Sequence, residues 1–191
     1  IDEMCRVADG FGLNVIARAP DCSASTINSY LDRGITGLWG PHIETAEEAQ
    51  ALIDGCLYGP QGKRSWGGGR STYYNNPALI DIQGGERTEY MQQTNANMLV
   101  LCQLESARAF ENIDAILEVK GFDGYVNGPN DLAQSMGLPG QPGHPDVVAM
   151  ERQMADRIHA AGGKLYTELF TVIELRHLIV DAAQQFLADN V

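Results

Sequence analysis

Short apolar runs alternate with helical patterns along most of the chain. The runs predict six strands, over 13–19, 37–43, 98–105, 124–128, 164–170 and 185–191. Helices are predicted over 2–9, 23–33, 85–96 and 172–183, and another is predicted to begin at Thr45. Two further helices are predicted where apolar residues recur at helical spacing, one with Phe110, Ile113 and Leu117 and the other with Val147, Met150, Met154 and Ile158. Glu48 follows Thr45 at the spacing of a capping box, which supports a helix start there.

Six strands alternating with helices predict a parallel sheet with right-handed crossovers. The strands are continuously apolar, which is typical of a sheet covered on both faces. An open doubly wound sheet and a (β/α)₈ barrel both satisfy this pattern. A dinucleotide-binding turn is not expected, because the Gly-rich "GGGR" at 67–70 follows a loop rather than a strand.

A long segment at about 60–84 interrupts the alternation. It is rich in Gly, Asn and aromatic residues, which favours a functional loop. Arg64 and Arg70 flank its "SWGGG" stretch and are candidates for binding a substrate carboxylate or a neighbouring subunit. The alternative is that both are solvated loop charges.

Charge and composition narrow the class of protein. The chain has 191 residues, enough for one domain with a substantial core, and its 13 Lys and Arg against 25 Asp and Glu give a net charge of −12. That balance argues against nucleic acid and anionic membranes as partners, but not against small anions bound by local arginines. No apolar run approaches ~18 residues, and the first residues lack a signal-peptide pattern. Four scattered cysteines indicate free thiols, so a cytoplasmic protein is expected.

Two acids stand where predicted strands end. Glu105 follows one apolar run and Asp131 lies just beyond the next, 26 residues later, which is about one strand–helix–strand step. Parallel strands present their carboxyl ends at one face, so the two acids are expected on neighbouring strand ends. Close carboxylates repel unless a cation lies between them, and oxygen ligands favour Mg²⁺ or Mn²⁺. The alternative is that each acid only caps the next helix.

Three long stretches closely resemble the HpcH/HpaI aldolases, the class II pyruvate aldolases. They are "GPHIETAEEAQALIDGCLYGPQGKRSWGGGR" (40–70), "CQLESARAFENIDAI" (102–116) and "GFDGYVNGPNDLAQSMGLPGQPGHPDV" (121–147), and the resemblance runs from residue 17 to the end. It implies a TIM (β/α)₈ barrel, here lacking the first two strands and the last helix. The chain would be a single, partial aldolase domain over 1–191, with an active-site loop at about 60–84.

The resemblance also implies a set of site residues. Glu105 and Asp131 would hold a divalent metal, Mg²⁺ or Mn²⁺ with Co²⁺ as a further candidate, and Gln103 would line the pyruvate site. The "GPND" turn would supply Gly128, Pro129, Asn130 and Asp131. The backbone N–H groups of Asn130 and Asp131 would hold the substrate carboxylate, whereas Pro129 has no N–H to donate.

Arg18 corresponds to the arginine of the family's "VRVP" strand. Deprotonating pyruvate or cleaving an aldol leaves an enolate, whose oxygen a divalent cation stabilises as a Lewis acid. A fixed guanidinium adds donors to the same oxygen, which is the role the resemblance implies for Arg18. The alternative is an ion pair between Arg18 and an acid on a neighbouring strand.

The general base is the main departure from the family. In the family it is provided by residues of the first two strands, so the resemblance implies a histidine preceding residue 1. If those strands do not exist, His42 or a metal-bound water must carry the proton. His42 stands at a predicted strand end, where substrate contact and a structural hydrogen bond are both open.

The function expected from the resemblance is a metal-dependent aldolase that cleaves or forms 4-hydroxy-2-oxo acids, giving pyruvate and an aldehyde. One alternative is a 2-keto-3-deoxy sugar-acid aldolase. Another is a non-catalytic barrel fragment that only assembles or binds ligand. The resemblance also implies a homo-oligomer, and specifically a hexamer.

Overall fold

A four-stranded parallel sheet forms the centre of the molecule. A computed structural model describes residues 1–84, 86–172, 174–175 and 177–190. The strands are β1 (Ile16–Arg18), β2 (Gly37–Gly40), β3 (Leu99–Leu104) and β4 (Gly124–Asn127). They lie in chain order, each parallel to its neighbours, with Leu38 opposite Val100 and Cys102 opposite Tyr125. All crossovers therefore run in one direction, as in a barrel-type α/β fold.

Helices fill the connections between the strands. They are α1 (Asp2–Gly10), α2 (Ala24–Leu31), α3 (Ala46–Cys56), α4 (Pro77–Gly84), α5 (Arg87–Asn97), α6 (Ala107–Glu111), α7 (Ile113–Glu118), α8 (Pro129–Ser135), α9 (Pro145–Ala160), α10 (Tyr166–Leu169) and α11 (Ala182–Asn190), with a 3₁₀ segment at Arg70–Asn75 and a π-helical segment at His177–Asp181. Across the described part of the chain, each helix is too short or too polar to cross a bilayer.

The core lies between the sheet and the helices that cover it. Five of the six residues of β3 and three of the four of β2 are buried, as expected for strands covered on both faces, whereas two of the three residues of β1 are exposed. The helices contribute apolar side chains at helical spacing, among them Ile27, Leu31, Leu52, Ile53, Ile113, Ile116, Val147, Met154 and Ile158. All four cysteines are free, as predicted, and burial raises the pKa of Cys56 to about 12.

The predicted start of α3 is confirmed in detail. The Thr45 hydroxyl accepts a hydrogen bond from the Glu48 N–H at 3.2 Å, and the Glu48 carboxylate accepts from the Thr45 N–H at 3.1 Å and from the Glu44 N–H at 2.8 Å. This reciprocal cap satisfies donors that a helix start otherwise leaves without partners. It fixes where the chain turns after β2, and so places the residues that precede Thr45.

Two of the six predicted strands are wrong. Residues 164–170 form only an isolated bridge, between Leu165 and Tyr125, before α10 begins. The Glu168 carboxylate accepts from the Leu165 N–H at 2.6 Å, so a local cap replaces the ladder bonds of a strand. The second, 185–191, lies in α11 as far as Asn190, consistent with its Ala, Gln and Leu content, and Val191 is outside the described residues.

The predicted helix over 172–183 and the predicted loop over 60–84 are each only partly right. Within 172–183, Ile173 and Arg176 are outside the described residues. The π-helical segment at His177–Asp181 is followed by α11, which begins at Ala182. The predicted loop contains the 3₁₀ segment and α4. Tyr73, Tyr74 and Asn75 have φ of 48°, 54° and 59°, a left-handed conformation that is strained for side-chain-bearing residues.

Candidate active site

Four predicted site residues stand at the carboxyl ends of the strands. Arg18 is the last residue of β1, His42 follows β2, Glu105 follows β3, and Asp131 lies in the first turn of α8 after β4. Parallel strands bring these ends to one face, which is where ligands bind in such folds.

Glu105 is the centre of this arrangement. Its side chain is only 1% exposed, and its Oε1 accepts from the His42 backbone N–H at 3.0 Å and lies 2.8 Å from His42 Nδ1 and 3.6 Å from Arg18 Nη2. Burial raises the pKa of Glu105, the hydrogen bond from the His42 backbone opposes that rise, and the charge of Asp131 adds to it. Asp131 lies in the first turn of α8, whose N-cap residue, Gly128, adjoins the Glu105 side chain.

The oxygen atoms left without partners test whether a metal fits. Glu105 Oε2 is buried and has no hydrogen-bond partner in the part of the chain that the structure describes, and the same holds for Asn127 Oδ1. A buried carboxylate oxygen without a donor is costly unless a cation or ligand meets it. The described residues contain no cluster of three or more His, Cys, Asp or Glu that could hold a metal. The two predicted ligands, Glu105 and Asp131, are carboxylates, and Mg²⁺ or Mn²⁺ can keep waters and substrate oxygens around one or two carboxylates.

Gly128 allows the "GPND" turn to approach the carboxylate. A Cβ at this position would lie 2.5 Å from Glu105 Oε2, 2.6 Å from Glu105 Cβ and 3.1 Å from Gln103 Nε2. Only glycine avoids these clashes. Pro129 is the first residue of α8, and Asn130 and Asp131 follow it in the first turn, where backbone N–H groups have no acceptor within the helix.

Gln103 is held by two donors. Its Oε1 accepts from Arg18 Nε at 3.0 Å and from Trp39 Nε1 at 2.9 Å. Both donors require the oxygen on that side, so the amide nitrogen is directed towards Gly128 and Glu105. Arg18 Nη2 also forms an ion pair with Glu105 Oε1 at 3.6 Å, which is the alternative role considered for this residue, while 42% of the Arg18 side chain stays exposed at the site.

Sequence reasoning did not find the contribution of Trp39. Its ring packs against Tyr166 with a centroid distance of 5.6 Å, while its N–H orients Gln103. The signal was present, since a tryptophan at a strand end needs an acceptor for its N–H. Asn127, the last residue of β4, was also missed.

His42 lies at the site, and most of its ring is accessible. Its side chain is 60% exposed, and its φ of 53° is unusual for a residue that carries a side chain. The backbone N–H and the ring Nδ1 both face Glu105 Oε1. His42 therefore helps to orient the carboxylate, whether or not it also moves a proton.

Arg64 and Arg70 are not brought to Glu105. Both line a cavity beside Asn14, Thr36 and Met98, residues that come just before β1, β2 and β3. They therefore lie at the amino ends of the strands, opposite the predicted site.

Fold and site together define a parallel α/β protein with a carboxylate pair, an arginine and a fixed amide at the carboxyl ends of its strands. Such a set of groups suits a divalent cation and a small oxyanion. The family model for HpcH/HpaI aldolase/citrate lyase matches residues 5–190. The chain belongs to this family, as its sequence motifs predicted.

Two proteins with similar sequences carry the names of aldolases. The chain is 35% identical over 171 residues to a 4-hydroxy-2-oxovalerate aldolase of Rhodococcus jostii (strain RHA1), covering 90% of this chain and 59% of that protein. It is 38% identical over 147 residues to a 2-keto-3-deoxy-L-rhamnonate aldolase of Klebsiella pneumoniae, covering 77% and 52%. The chain thus spans between half and three fifths of the length of these relatives.

Solved structures agree with the fold. An HpcH/HpaI aldolase/citrate lyase family protein from Burkholderia cenocepacia superposes with a TM-score of 0.82 at 26% identity, covering 98% of this chain and 78% of that one. An HpcH/HpaI aldolase from Desulfitobacterium hafniense gives 0.75 at 25% identity, covering 98% and 74%. The predicted parallel α/β class of the TIM-barrel type is confirmed.

Proposed function

We propose that this protein is a class II, metal-dependent pyruvate aldolase that cleaves or forms 4-hydroxy-2-oxo acids. The observation that carries the proposal is the buried Glu105 Oε2, which has no partner among the described residues, at the face of the sheet where the first turn of α8 carries Asp131. Arg18 and Gln103 stand beside it with their donors oriented. Membership of an aldolase family supports the same reaction class.

Each residue has a task that its geometry allows. A divalent cation held by Glu105 and Asp131 would supply Lewis acidity to the keto oxygen of the substrate. Arg18, which is partly exposed and tethered through Nε, directs its remaining N–H groups to the oxygen that gains negative charge as the carbon–carbon bond breaks. The Gln103 amide N–H₂ and the backbone N–H groups of Asn130 and Asp131 bind the polar end of pyruvate.

The proposal also concerns the part of the substrate that is released as the aldehyde. The relative at 38% identity carries the name of a sugar-acid aldolase, so a 2-keto-3-deoxy sugar acid is the second candidate substrate. Pyruvate and an aldehyde are the common products in both cases. A homo-oligomer, with a hexamer as the family-based expectation, stays a prediction.

Exchange of the methyl hydrogens of pyruvate with solvent tests the proposal most directly. The complete gene product is expected to catalyse exchange with Mn²⁺ or Mg²⁺, to lose it in excess EDTA, and to regain it when metal is restored, because the enolate needs the cation. NMR in D₂O follows the methyl signal. Full activity in excess EDTA would contradict the metal role, and absence of exchange with metal present would favour a ligand-binding fragment.

The His42→Ala substitution is expected to lower turnover by less than about a hundredfold, which is the lower end of what a general base contributes. The resemblance places the base elsewhere, and the backbone N–H of residue 42 can still bond Glu105 after the ring is removed. Steady-state kinetics on the complete protein measure the effect. His42→Asn is the matched control, since asparagine tolerates the left-handed backbone but cannot act as a base. A larger loss in both variants would identify His42 as the base.

A further inference from the structure

The cavity that Arg64 and Arg70 line is at the opposite end of the sheet from Glu105. Its volume is about 400 Å³, and Asn14, Thr36 and Met98 of its wall come just before β1, β2 and β3. Glu105 follows the six-residue β3, so at ~3.3 Å per residue the two ends of that strand are about 20 Å apart. The cavity is therefore separate from the proposed aldolase centre.

Arg64 in the wall of this cavity is a buried cation without a conventional partner. The residue is 6% exposed, and among the described residues no acceptor bonds its Nε or its Nη1. Its guanidinium stacks on the Tyr58 ring, 4.6 Å from the centroid. Stacking satisfies the face of the guanidinium, but the N–H groups point outward in its plane and need acceptors there. Arginine stays charged in proteins, so it cannot avoid the cost of burial by losing a proton.

The rest of the wall is poor in acids. Arg70 also lines the cavity, where it pairs with Asp9 and donates to the Arg33 carbonyl. Asp9 is the only carboxylate among the described lining residues, and Arg70 already neutralises it. The residues that line the cavity therefore carry one excess positive charge in a chain whose net charge is −12. Ser71, Thr36 and Asn97 also line it, but their donors are already bonded to Asp32 Oδ1, the Val15 carbonyl and the Gln93 carbonyl.

We propose that this cavity binds a small oxyanion of the carboxylate or phosphate class through Arg64. Charge-assisted hydrogen bonds from a guanidinium to such an anion are among the strongest available, and they supply the acceptors that Nε and Nη1 lack. The volume lies within the range of small-molecule sites. Because Nε and Nη1 are shielded, binding involves a change of side-chain rotamer, which is common when ligands bind. The site is independent of the aldolase proposal.

Thermal unfolding of the full chain with and without anions tests this site. Inorganic phosphate and succinate are the two probes, with sodium chloride at equal ionic strength as the reference. Either probe at ten times its Kd is expected to raise Tm by about 3–6 °C over chloride. A response to phosphate alone or to succinate alone identifies the class of anion.

Variants at Arg64 decide whether the effect belongs to the cavity. Arg64→Met is expected to lose the anion-dependent rise, while its Tm without anion is unchanged or higher, because a buried charge has been replaced by an apolar chain of similar length. Arg152→Met, an exposed position on α9, is the matched control and should keep the full rise. Arg64→Lys retains the charge without the planar fork, and calorimetry should show binding at least about tenfold weaker, roughly one lost charge-assisted bond.

Three results would overturn the proposal. The first is a rise in Tm with chloride equal to that with the probe anions. The second is an undiminished anion-dependent rise in Tm of Arg64→Met or, if that variant does not fold, undiminished anion binding by Arg64→Lys. The third is a rise in Tm that appears only together with self-association in light scattering. That result would assign Arg64 to a carboxylate of a second copy of the chain rather than to a free anion.

Discussion

Replacing Glu105 with Gln is expected to weaken Mn²⁺ binding by more than about a hundredfold and to bring pyruvate exchange close to background. Even the loss of a group that only supports a metal ligand costs 10–100-fold, and Glu105 is proposed as a ligand itself. Glutamine keeps the size of the side chain and can still accept at Oε1 from the His42 N–H. Folding should therefore be preserved, since a neutral amide is easier to bury than a charge. Titration calorimetry with Mn²⁺ measures the affinity, and Tm reports folding.

The controls for Glu105→Gln separate metal binding from general charge effects. Glu111→Gln, on the exposed face of α6, should leave both metal affinity and exchange unchanged. Asp131→Asn should behave like Glu105→Gln. Because burial raises the pKa of Glu105, protons compete with the metal, so Mn²⁺ affinity of the unmodified protein should fall as pH is lowered towards that pKa. Unchanged Mn²⁺ affinity in Glu105→Gln would show that Glu105 is not a ligand.

Arg18→Lys is expected to lower kcat by about 10²–10³-fold, the scale associated with losing one donor to a developing oxyanion, with little change in KM. Arg18 uses Nε to bond Gln103 Oε1 and its Nη2 lies 3.6 Å from Glu105 Oε1, so its planar fork holds further N–H groups beside the proposed position of the substrate oxygen. A lysine ammonium is a point charge and cannot hold Gln103 and the oxyanion in the same geometry. Steady-state aldol cleavage kinetics on the complete protein separate kcat from KM.

Arg157→Lys provides a closely matched control. The Arg157 side chain is 43% exposed, and its Nη1 lies 3.5 Å from Asp114 Oδ2. The Arg18 side chain is 42% exposed, and its Nη2 lies 3.6 Å from Glu105 Oε1. It lies on α9, away from the carboxyl ends of the strands, so its substitution should leave kcat unchanged. A loss confined to KM in Arg18→Lys would mean that Arg18 binds substrate and transition state equally, and not that it acts on the developing charge.

The central strands and the helix caps could be predicted from the sequence because they depend on local signals. The apolar run around β3 and the Thr45–Glu48 spacing each specify their element without reference to distant residues. The segments at 164–170 and 185–190 also contain apolar residues, but they are not strands. A strand requires a neighbour to pair with, and at Leu165 a nearby acid, Glu168, competes for the backbone N–H.

In the candidate site, too, some features follow from local sequence signals and others depend on distant residues. Placing Glu105 and Asp131 near each other needed only the rule that parallel strands end at one face, together with the length of one strand–helix–strand step. The orientation of Gln103 depends on Trp39 and Arg18, which are 64 and 85 residues away in the chain. The sequence by itself determined which side chains stand at the strand ends. Only the tertiary structure decided which of their atoms are bonded, because hydrogen-bond partners from β1, β2 and β3 meet only once the sheet has formed. It likewise separated Arg64 from the site, since the strands carry the ends of a parallel sheet apart by their own length.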